Sequence, residues 1–293
     1  MMSLRISYIL CFCCIVVMLD GAMAQLPETD IWLFQIEKQE KESVCKNGIN
    51  ITNRPGYDNQ PAFSPDNKTV LYSSVRADKQ ADIYGYRIGS KKTNRLTNTP
   101  ESEYSPTITP DGLMFSVVVV EADSAQRIQC YSLDGHRRCY TVSPEDSVGY
   151  HTWYNADSML YYKLTEPHSL HIQNLITGND VKICEKPCRA FKTIPGTHYF
   201  IYGVKDTAGV VYRKYDPVLK KSMDYARAAT QSEDFIWNAE WGLVRSEGAA
   251  LLRYDERQAL WIPLFDFSTQ GIQKITRFMF DSKNKQLVLV SNK

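Results

Sequence analysis

The residue types most able to do chemistry in this 293-residue chain are its eight cysteines and five histidines. Cys130 and Cys139 are placed symmetrically about Asp134-Gly135, a dipeptide typical of two-residue β-hairpin turns. Counting pairs outward from that turn places the two cysteines opposite each other at a non-hydrogen-bonded site. Their Cα atoms would then lie about 4.5 Å apart, within disulfide range. We expect a disulfide between them in an oxidising compartment.

Cys184 and Cys188 form a second closely spaced pair. They could close a short loop as a second disulfide, or they could begin a metal site. Because the chain contains no further cysteine pair at zinc spacing, we expect no metal there. Of the five cysteines that follow residue 24, Cys45 is left over and is expected to be a free thiol.

The histidines do not form an obvious site. His168 and His171 are three residues apart near a predicted strand, where side chains alternate between faces, so they are not expected to share a metal. His151 precedes a predicted inner strand, where it could be a structural histidine or an acid–base group. The chain has no Gly-x-Ser-x-Gly elbow, phosphate loop, His-Glu-x-x-His or calcium-loop motif. We therefore predict no catalytic set, no bound metal and no cofactor.

Composition indicates the fold class and excludes one class of partner. Lys and Arg number 34 and Asp and Glu number 33, so the basic excess of a nucleic-acid-binding protein is missing. The 18 tyrosines favour strands, and no long segment shows helical periodicity. An all-β protein is expected.

A repeated unit organises the chain. Residues 61–74 read as two short strands around the turn Ser64-Pro65-Asp66-Asn67. The unit returns at residues 107–116 and 153–162, and less clearly at 193–200, 237–244 and 279–288. Equivalent positions are spaced by 45, 46, 39, 44 and 43 residues, a period typical of propeller blades; they are Asp66, Asp111, Asp157, Gly196, Glu240 and Lys283. We interpret the repeated aspartates as turn formers rather than an acid cluster.

The repeats are offset relative to the chain ends. The chain begins with the second half of a unit, about residues 30–53, and ends with a first half, about 275–291. Pairing these segments would complete a sixth blade and remove the exposed sheet edges. The sequence therefore predicts one domain, residues 25–293, that is an all-β six-bladed β-propeller of four-stranded antiparallel blades.

Residues 1–24 are predicted to be a signal peptide. Arg5 precedes an apolar run at residues 6–19, and Ala22-Met23-Ala24 fits the small-x-small cleavage rule. An uncleaved anchor helix is the alternative, but the run is short and Asp20 interrupts it. We expect cleavage near Ala24, export to the periplasm or beyond, and no transmembrane span in the mature chain.

Several motifs resemble a known repeat. The residues are Asp82-Ile83-Tyr84, Arg95-Leu96-Thr97, Tyr104-Ser105-Pro106 and Pro110-Asp111-Gly112. This pattern is similar to the TolB-type propeller repeat, also called WD40-like or PD40. The resemblance covers residues 30 to about 165 well, and the remainder only by spacing. It implies a six-bladed propeller in a bacterial cell envelope.

The loops that enter the first strand of each blade share one face of a propeller, around the mouth of its channel. These loops mix aromatic and charged residues, which suits a protein or glycan interface but also an ordinary solvated rim. The candidate binding residues are Tyr57, Asp58, Glu103, Tyr104, Tyr150, His151, Arg189 and Phe235.

Three functions remain open at this point. The preferred one is an exported, non-enzymatic propeller that binds an envelope protein or glycan. The second is a propeller-type polysaccharide lyase or hydrolase that uses His151 and acids at the channel mouth. The third is a subunit of a surface complex that includes outer-membrane proteins.

Overall fold

The computed structural model describes residues 26–40 and 42–292, which form strands and one short 3-10 turn, Ser268–Gln270. The first ten strands are β1 (Thr29–Lys38), β2 (Ser43–Asn50), β3 (Asp58–Phe63), β4 (Thr69–Val75), β5 (Ala81–Arg87), β6 (Lys92–Arg95), β7 (Ser102–Ile108), β8 (Met114–Val120), β9 (Gln126–Ser132) and β10 (Arg138–Thr141). The next eight are β11 (Val148–Asn155), β12 (Ser158–Lys163), β13 (Ser169–Asn174), β14 (Asp180–Glu185), β15 (Pro187–Thr193), β16 (Phe200–Asp206), β17 (Gly209–Asp216) and β18 (Lys221–Ala228). The last six are β19 (Phe235–Asn238), β20 (Gly242–Glu247), β21 (Ala250–Asp255), β22 (Leu260–Asp266), β23 (Ile275–Phe280) and β24 (Gln286–Asn292).

These strands form six antiparallel sheets of four strands each, the blades of a propeller. Blades I to V follow the chain as β3–β6, β7–β10, β11–β14, β15–β18 and β19–β22. Blade VI has the order β2-β1-β24-β23 and so combines both ends of the described chain. The six-bladed fold and its closure by terminal strands, both predicted from the offset repeat, are confirmed.

The repeated aspartates shape the turns inside the blades. Asp66 Oδ1 accepts hydrogen bonds from the Ser64 hydroxyl at 2.7 Å and from the Lys68 backbone N–H at 3.1 Å. Asp111 Oδ1 is bound in the same way by Thr109 Oγ1, at 2.6 Å. These hydrogen bonds lower the pKa of both carboxyl groups, which lie in the turns of different blades. The hydrogen-bonding geometry that the two aspartates share is that of a turn, as the sequence indicated.

The motif residues brace the outer strands of blade I. Arg95 Nη2 donates to Asp82 Oδ2 at 2.5 Å, and the fully buried Asp82 links β5 to β6 through this ion pair. The Ile83 backbone N–H donates to Thr97 Oγ1 at 2.9 Å, which fixes the chain as it leaves β6. These parts of the motif therefore serve the fold.

The hydrophobic core lies between neighbouring blades. Blades V and VI meet through aromatic pairs, with the rings of Phe34 and Phe267 at 4.7 Å and those of Trp241 and Phe280 at 4.9 Å. Between blades VI and I, Val288 belongs to one continuous buried cluster with residues of β1 and β4. Packing between blades thus fixes the inner strands and leaves a narrow channel at the centre.

The disulfide expected between Cys130 and Cys139 is not formed. Tyr131 pairs with Arg138, as the turn count predicts, but the next pair joins Cys130 to Tyr140. Cys139 is an extra residue in β10, a β-bulge, and does not face Cys130. The expected register was wrong beyond the first pair because counting from a turn takes no account of a bulge.

The second disulfide considered from the sequence is not formed either. Cys184 pairs with Leu170 inside blade III, whereas Cys188 lies in the first strand of blade IV. All five cysteines of the described residues, including Cys45, are free thiols. Burial raises the pKa of the Cys184, Cys188 and Cys45 thiols to about 12, so they are poor nucleophiles.

The predicted signal peptide, residues 1–24, lies outside the described residues. Within the described ranges, no helix is long and apolar enough to cross a membrane.

Candidate functional site

The six inner strands, β3, β7, β11, β15, β19 and β23, surround a central channel with a cavity of about 90 Å³. Each blade contributes one residue to a ring around it: Gln60, Ser105, His151, Ala190, Asp234 and Arg277. Lys192 enters the same cavity from β15. The ring is polar at five of its six positions, in contrast to the apolar clusters between the blades.

Positive charge exceeds negative charge along this channel. Arg189, Lys192 and Arg277 line it together with a single carboxylate, Asp234. Oδ1 of Asp234 lies 4.0 Å from Nη1 of Arg277, which is an ion pair but too long for a direct hydrogen bond. One acidic group therefore faces three basic groups.

Glu233 lies behind the channel wall and is already paired. Its Oε2 accepts from the Arg189 backbone N–H at 3.0 Å and lies 3.3 Å from Arg189 Nε. Its Oε1 forms an ion pair with Lys205. The charges of Lys205 and Glu233 offset each other. Arg189, Lys192 and Arg277 therefore still exceed the single Asp234 carboxylate by two positive charges.

Among the described residues, four buried polar atoms of cavity-lining side chains have no hydrogen-bond partner: Oδ2 of Asp234, Nδ1 of His151, Oγ of Ser105 and Nε of Arg189. Asp234 is 7% exposed and His151 is 6% exposed. Buried polar atoms are normally satisfied by protein or by ordered water. These atoms are therefore available to water or to a ligand inside the channel.

Burial controls the ionisation of the channel groups. Burial, with a smaller contribution from Lys192, lowers the pKa of His151 to about 3, so the imidazole is neutral at ordinary pH. Burial raises the pKa of Asp234 although Arg277, Arg189 and Lys192 oppose the shift. Burial also lowers the pKa of Lys192, and Arg277 adds to this effect. The charged forms of both acidic and basic side chains are thus poorly solvated in this site.

His151 is held by the neighbouring blade. Its Nε2 lies 2.7 Å from the hydroxyl of Ser116 on β8, and that hydroxyl also accepts from Trp153 Nε1 at 3.0 Å. One ring nitrogen therefore links blade III to blade II, and the other lies at the cavity.

Aromatic side chains surround the channel on the face where the inner strands begin, which we call the entry face. The guanidinium of Arg277 lies 5.1 Å from the centre of the Tyr150 ring, a cation–π contact. Tyr150 also packs edge-to-face on Tyr162, with ring centres 5.7 Å apart. Burial raises the pKa of the Tyr57 hydroxyl, and the nearby charges of Arg277 and Arg189 oppose the shift. The mouth of the channel is therefore lined by tyrosine and arginine side chains in contact with one another.

The structure brings some of the candidate residues together and separates others. Tyr150, His151, Arg189 and Phe235 line the channel cavity, and Tyr57 lies near Tyr150 and Arg189 without lining it. Tyr104 is half-buried and packs against the cluster between blades II and III.

Three candidates are fully buried and have structural partners. Asp58 is bound by Arg54 and Ser74, both at 2.7 Å. Glu103 accepts hydrogen bonds from Thr97, Thr99 and Tyr131 between blades I and II. Phe235 packs on Tyr212 in the core, with ring centres 5.0 Å apart. Asp58 and Glu103 support the mouth from behind, whereas Phe235 also forms part of the cavity wall.

Sequence reasoning missed Lys192 and Arg277, although a signal was present. The six ring residues each lie six positions before the repeat position of their blade, as Gln60 does before Asp66 and Arg277 before Lys283. Lys192 is the only charged residue four positions before such a position. The candidates were chosen from the loops that enter the first strands, whereas Lys192 and Arg277 lie within strands β15 and β23.

A second constellation lies in blade III. Ser169 Oγ is 3.0 Å from His171 Nε2, and His171 Nδ1 is 2.7 Å from Asp180 Oδ2. These contacts have the order of a Ser-His-Asp triad. However, Ser169 is only 2% exposed and its hydroxyl also bonds to Thr165 Oγ1 at 3.1 Å. The arrangement braces β13 against β14 and offers no space for a substrate.

Comparison with known proteins shows what this fold is similar to. No family model matches the chain. Among solved structures, TolB from Agrobacterium tumefaciens superposes with a TM-score of 0.69 at 11% identity, covering 92% of this chain and 99% of that one. The gluconolactonase XC5397 from Xanthomonas campestris has a TM-score of 0.63 at 9% identity, covering 93% and 99%. An oligogalacturonate lyase in complex with manganese has a TM-score of 0.59 at 11% identity, covering 86% and 83%.

These identities establish the fold and not an activity. The chain is a TolB-like six-bladed propeller, in agreement with the repeat motifs. The channel does not fit the manganese of the lyase structure: in residues 26–40 and 42–292, no three His, Cys, Asp or Glu side chains are grouped to hold a metal. Because two of these structures are enzymes of different activity, the fold alone does not assign a function, and the arrangement of residues at the site must decide.

Proposed function

We propose that this chain is an exported, non-enzymatic propeller that binds an envelope protein or glycan at the entry-face mouth of its channel. The observation that carries the proposal is the channel itself, where a polar, positively charged ring opens between aromatic side chains and four buried polar atoms of the described residues have no hydrogen-bond partner. Polar groups that converge in a narrow concave site are the usual mark of a binding site.

The mouth has the residue types that dominate binding interfaces. Tyrosine and arginine are enriched among the residues that contribute most to affinity. Tyr150 is held by Tyr162 and Arg277, and Arg189 by Glu233, so both are ordered before a partner arrives. Less conformational entropy is then lost on binding.

Export to the cell envelope is part of the proposal. It is supported by the signal-peptide features of residues 1–24 and by the likeness to TolB. A partner would then be another envelope component, including the outer-membrane proteins of a surface complex.

An enzymatic role is the second candidate, since a lyase and a gluconolactonase share the fold. The channel supports it less well. A general base works best when its pKa is near the operating pH, and that of His151 is about 3. The Ser169 constellation is closed to substrates. A screen of purified protein against acidic polysaccharides and lactones tests this candidate, because turnover lost in His151→Ala would favour it.

The binding role is tested by affinity capture from envelope extract and by a glycan array. The test variant is Tyr150→Ala/Arg189→Ala at the mouth. The matched control is Ile176→Ala/Val218→Ala, which alters two highly exposed turn residues on the opposite face. We expect the mouth variant to lose the captured protein or glycan and the control to retain it. Equal capture by both folded variants would contradict the proposed site.

A further inference from the structure

The inner part of the channel contains a cation without a partner. Among the described residues, the Lys192 side chain makes no hydrogen bond and no ion pair; it interacts only at longer range with Asp234, Arg277 and His151. The residue is half-buried in the channel, where a lysine normally has a partner. The ammonium group is therefore available to a ligand.

Arg277 is also only partly used. Its guanidinium lies over Tyr150, and its approach to Asp234, at 4.0 Å, is beyond hydrogen-bond distance. Its side chain is 17% exposed and lines the cavity. N–H donors of Arg277 thus remain free to point at a group placed between it and Lys192.

The charge balance favours an anion as that group. Lys205 offsets Glu233, and Asp234 offsets one of the three channel cations, so two positive charges remain. Charges enclosed by protein walls are weakly screened by solvent and salt. An anionic group would be attracted into the channel, and a cationic one repelled.

The size of the cavity suits a small anionic group. The cavity of about 90 Å³ has room for several ordered waters or for one small group at the end of a larger molecule. A carboxylate offers two coplanar oxygens, which match the fork of an arginine and the point charge of a lysine. The neutral His151 adds one ring nitrogen at the same cavity.

We propose that the partner inserts a carboxylate group into the channel, where Arg277 and Lys192 bind it. This inference rests on the binding role proposed above and names the chemistry that the site recognises. Carboxylates occur at peptide chain ends and acidic side chains, and in the uronic acids of glycans. The channel recognises what these sources share.

The experiment is an NMR titration of purified protein at low salt with small probes. N-acetylglycine is compared with N-acetylglycinamide, which has the same shape without the charge, and galacturonate with galactose. We expect the acids to shift resonances of the channel residues and the neutral analogues to have no effect. Binding by only one of the two acids identifies the source of the carboxylate.

The variants are Lys192→Met and, as a control, Lys68→Met in an exposed turn on the opposite face. We expect Lys192→Met to weaken binding of the acids about tenfold or more, and Lys68→Met to leave it unchanged. Removal of this half-buried charge should not unfold the protein, and the melting temperature checks this.

The inference is overturned if no acid binds, if the neutral analogues bind equally, or if Lys192→Met binds as well as the parent. Partner capture that still depends on Tyr150 and Arg189 would then leave the binding role standing without the carboxylate. If acid binding does not depend on Lys192 and partner capture does not depend on Tyr150 and Arg189, both proposals are overturned.

Discussion

Leu33, on the first strand, lies directly opposite Val288, on the last strand. β1 pairs with β24 along seven consecutive residues, so the two ends of the described chain form the middle of blade VI. Blade VI is the only blade of the described chain that combines strands from both ends. Its β1–β24 pairing therefore closes the ring that positions the channel residues.

Removal of residues 275–293 should unfold the protein. The deletion leaves β1 and β2 as an isolated hairpin with an exposed edge, and such hairpins are marginal in water. We expect an aggregating product, or one without a cooperative thermal transition by circular dichroism. A permutant that joins the two ends by a short linker and opens between blades should still melt cooperatively. A truncated chain that melts near the parent temperature would contradict ring closure.

Gly209 should tolerate alanine far less well than Gly178. Gly209 has φ +136°, and an added Cβ would lie 2.2 Å from the Ala228 carbonyl oxygen. Gly178 has φ +73° with nothing within 4 Å. We expect Gly178→Ala to cost about 1 kcal/mol for its backbone conformation, and Gly209→Ala about 3 kcal/mol or more, since overpacking is added. Urea unfolding of both variants measures this, and equal costs would contradict the packing described.

Glu103 should destabilise the fold as pH rises. Burial raises its pKa to about 7, although Thr99 and Thr97 oppose the shift by hydrogen bonding. The folded state therefore binds this proton more tightly than the unfolded state, whose carboxyl has an ordinary pKa. The stabilisation is complete below about pH 4.5 and is lost as pH rises through 7.

Glu103→Gln should remove this dependence. We expect the variant to gain about 1–3 kcal/mol over the parent at pH 8 and little at pH 4.5, measured by urea unfolding at both values. The exposed Glu40→Gln serves as the control and should follow the parent. A constant difference between Glu103→Gln and the parent across this range would refute the assignment.

Ser169 should not react as a nucleophile. Its hydroxyl is buried and bound to both His171 and Thr165. We expect a fluorophosphonate probe to leave both the folded parent protein and the control variant Ser90→Ala unlabelled. We expect Ser169→Ala to lower the free energy of unfolding by about 1–2 kcal/mol. Labelling that disappears in Ser169→Ala would instead revive the hydrolase alternative.

The fold could be predicted from the sequence because the blades repeat a local turn. The spacing from Asp66 to Asp111 and onward reports the blade period, and the turn hydrogen bonds of these residues depend on near neighbours only. The offset of the repeats then required closure by the terminal strands.

The site was only partly predictable because bulges decide which side chains reach the channel. The register shifts between Asn59 and Ala62 and between Tyr104 and Thr107, and Gln60 and Ser105 adopt positive φ there. Such bulges leave no mark in a repeat period. A bulge is also the reason that the predicted pairing of Cys130 with Cys139 was wrong.

A photo-cross-linking experiment tests the binding role most directly. A diazirine amino acid, which reacts with both proteins and glycans, is placed at Gln231 in the loop that enters β19 on the entry face, or at Ile176 on the opposite face. Both side chains are exposed, and neither is a proposed binding residue, so Tyr150 and Arg189 stay in place; Ile176 lies in the turn between β13 and β14. We predict that irradiation of the protein in its native compartment gives a specific adduct from position 231 and none from position 176. An adduct from position 176 alone, or equal adducts from both, would contradict a partner site at the channel mouth.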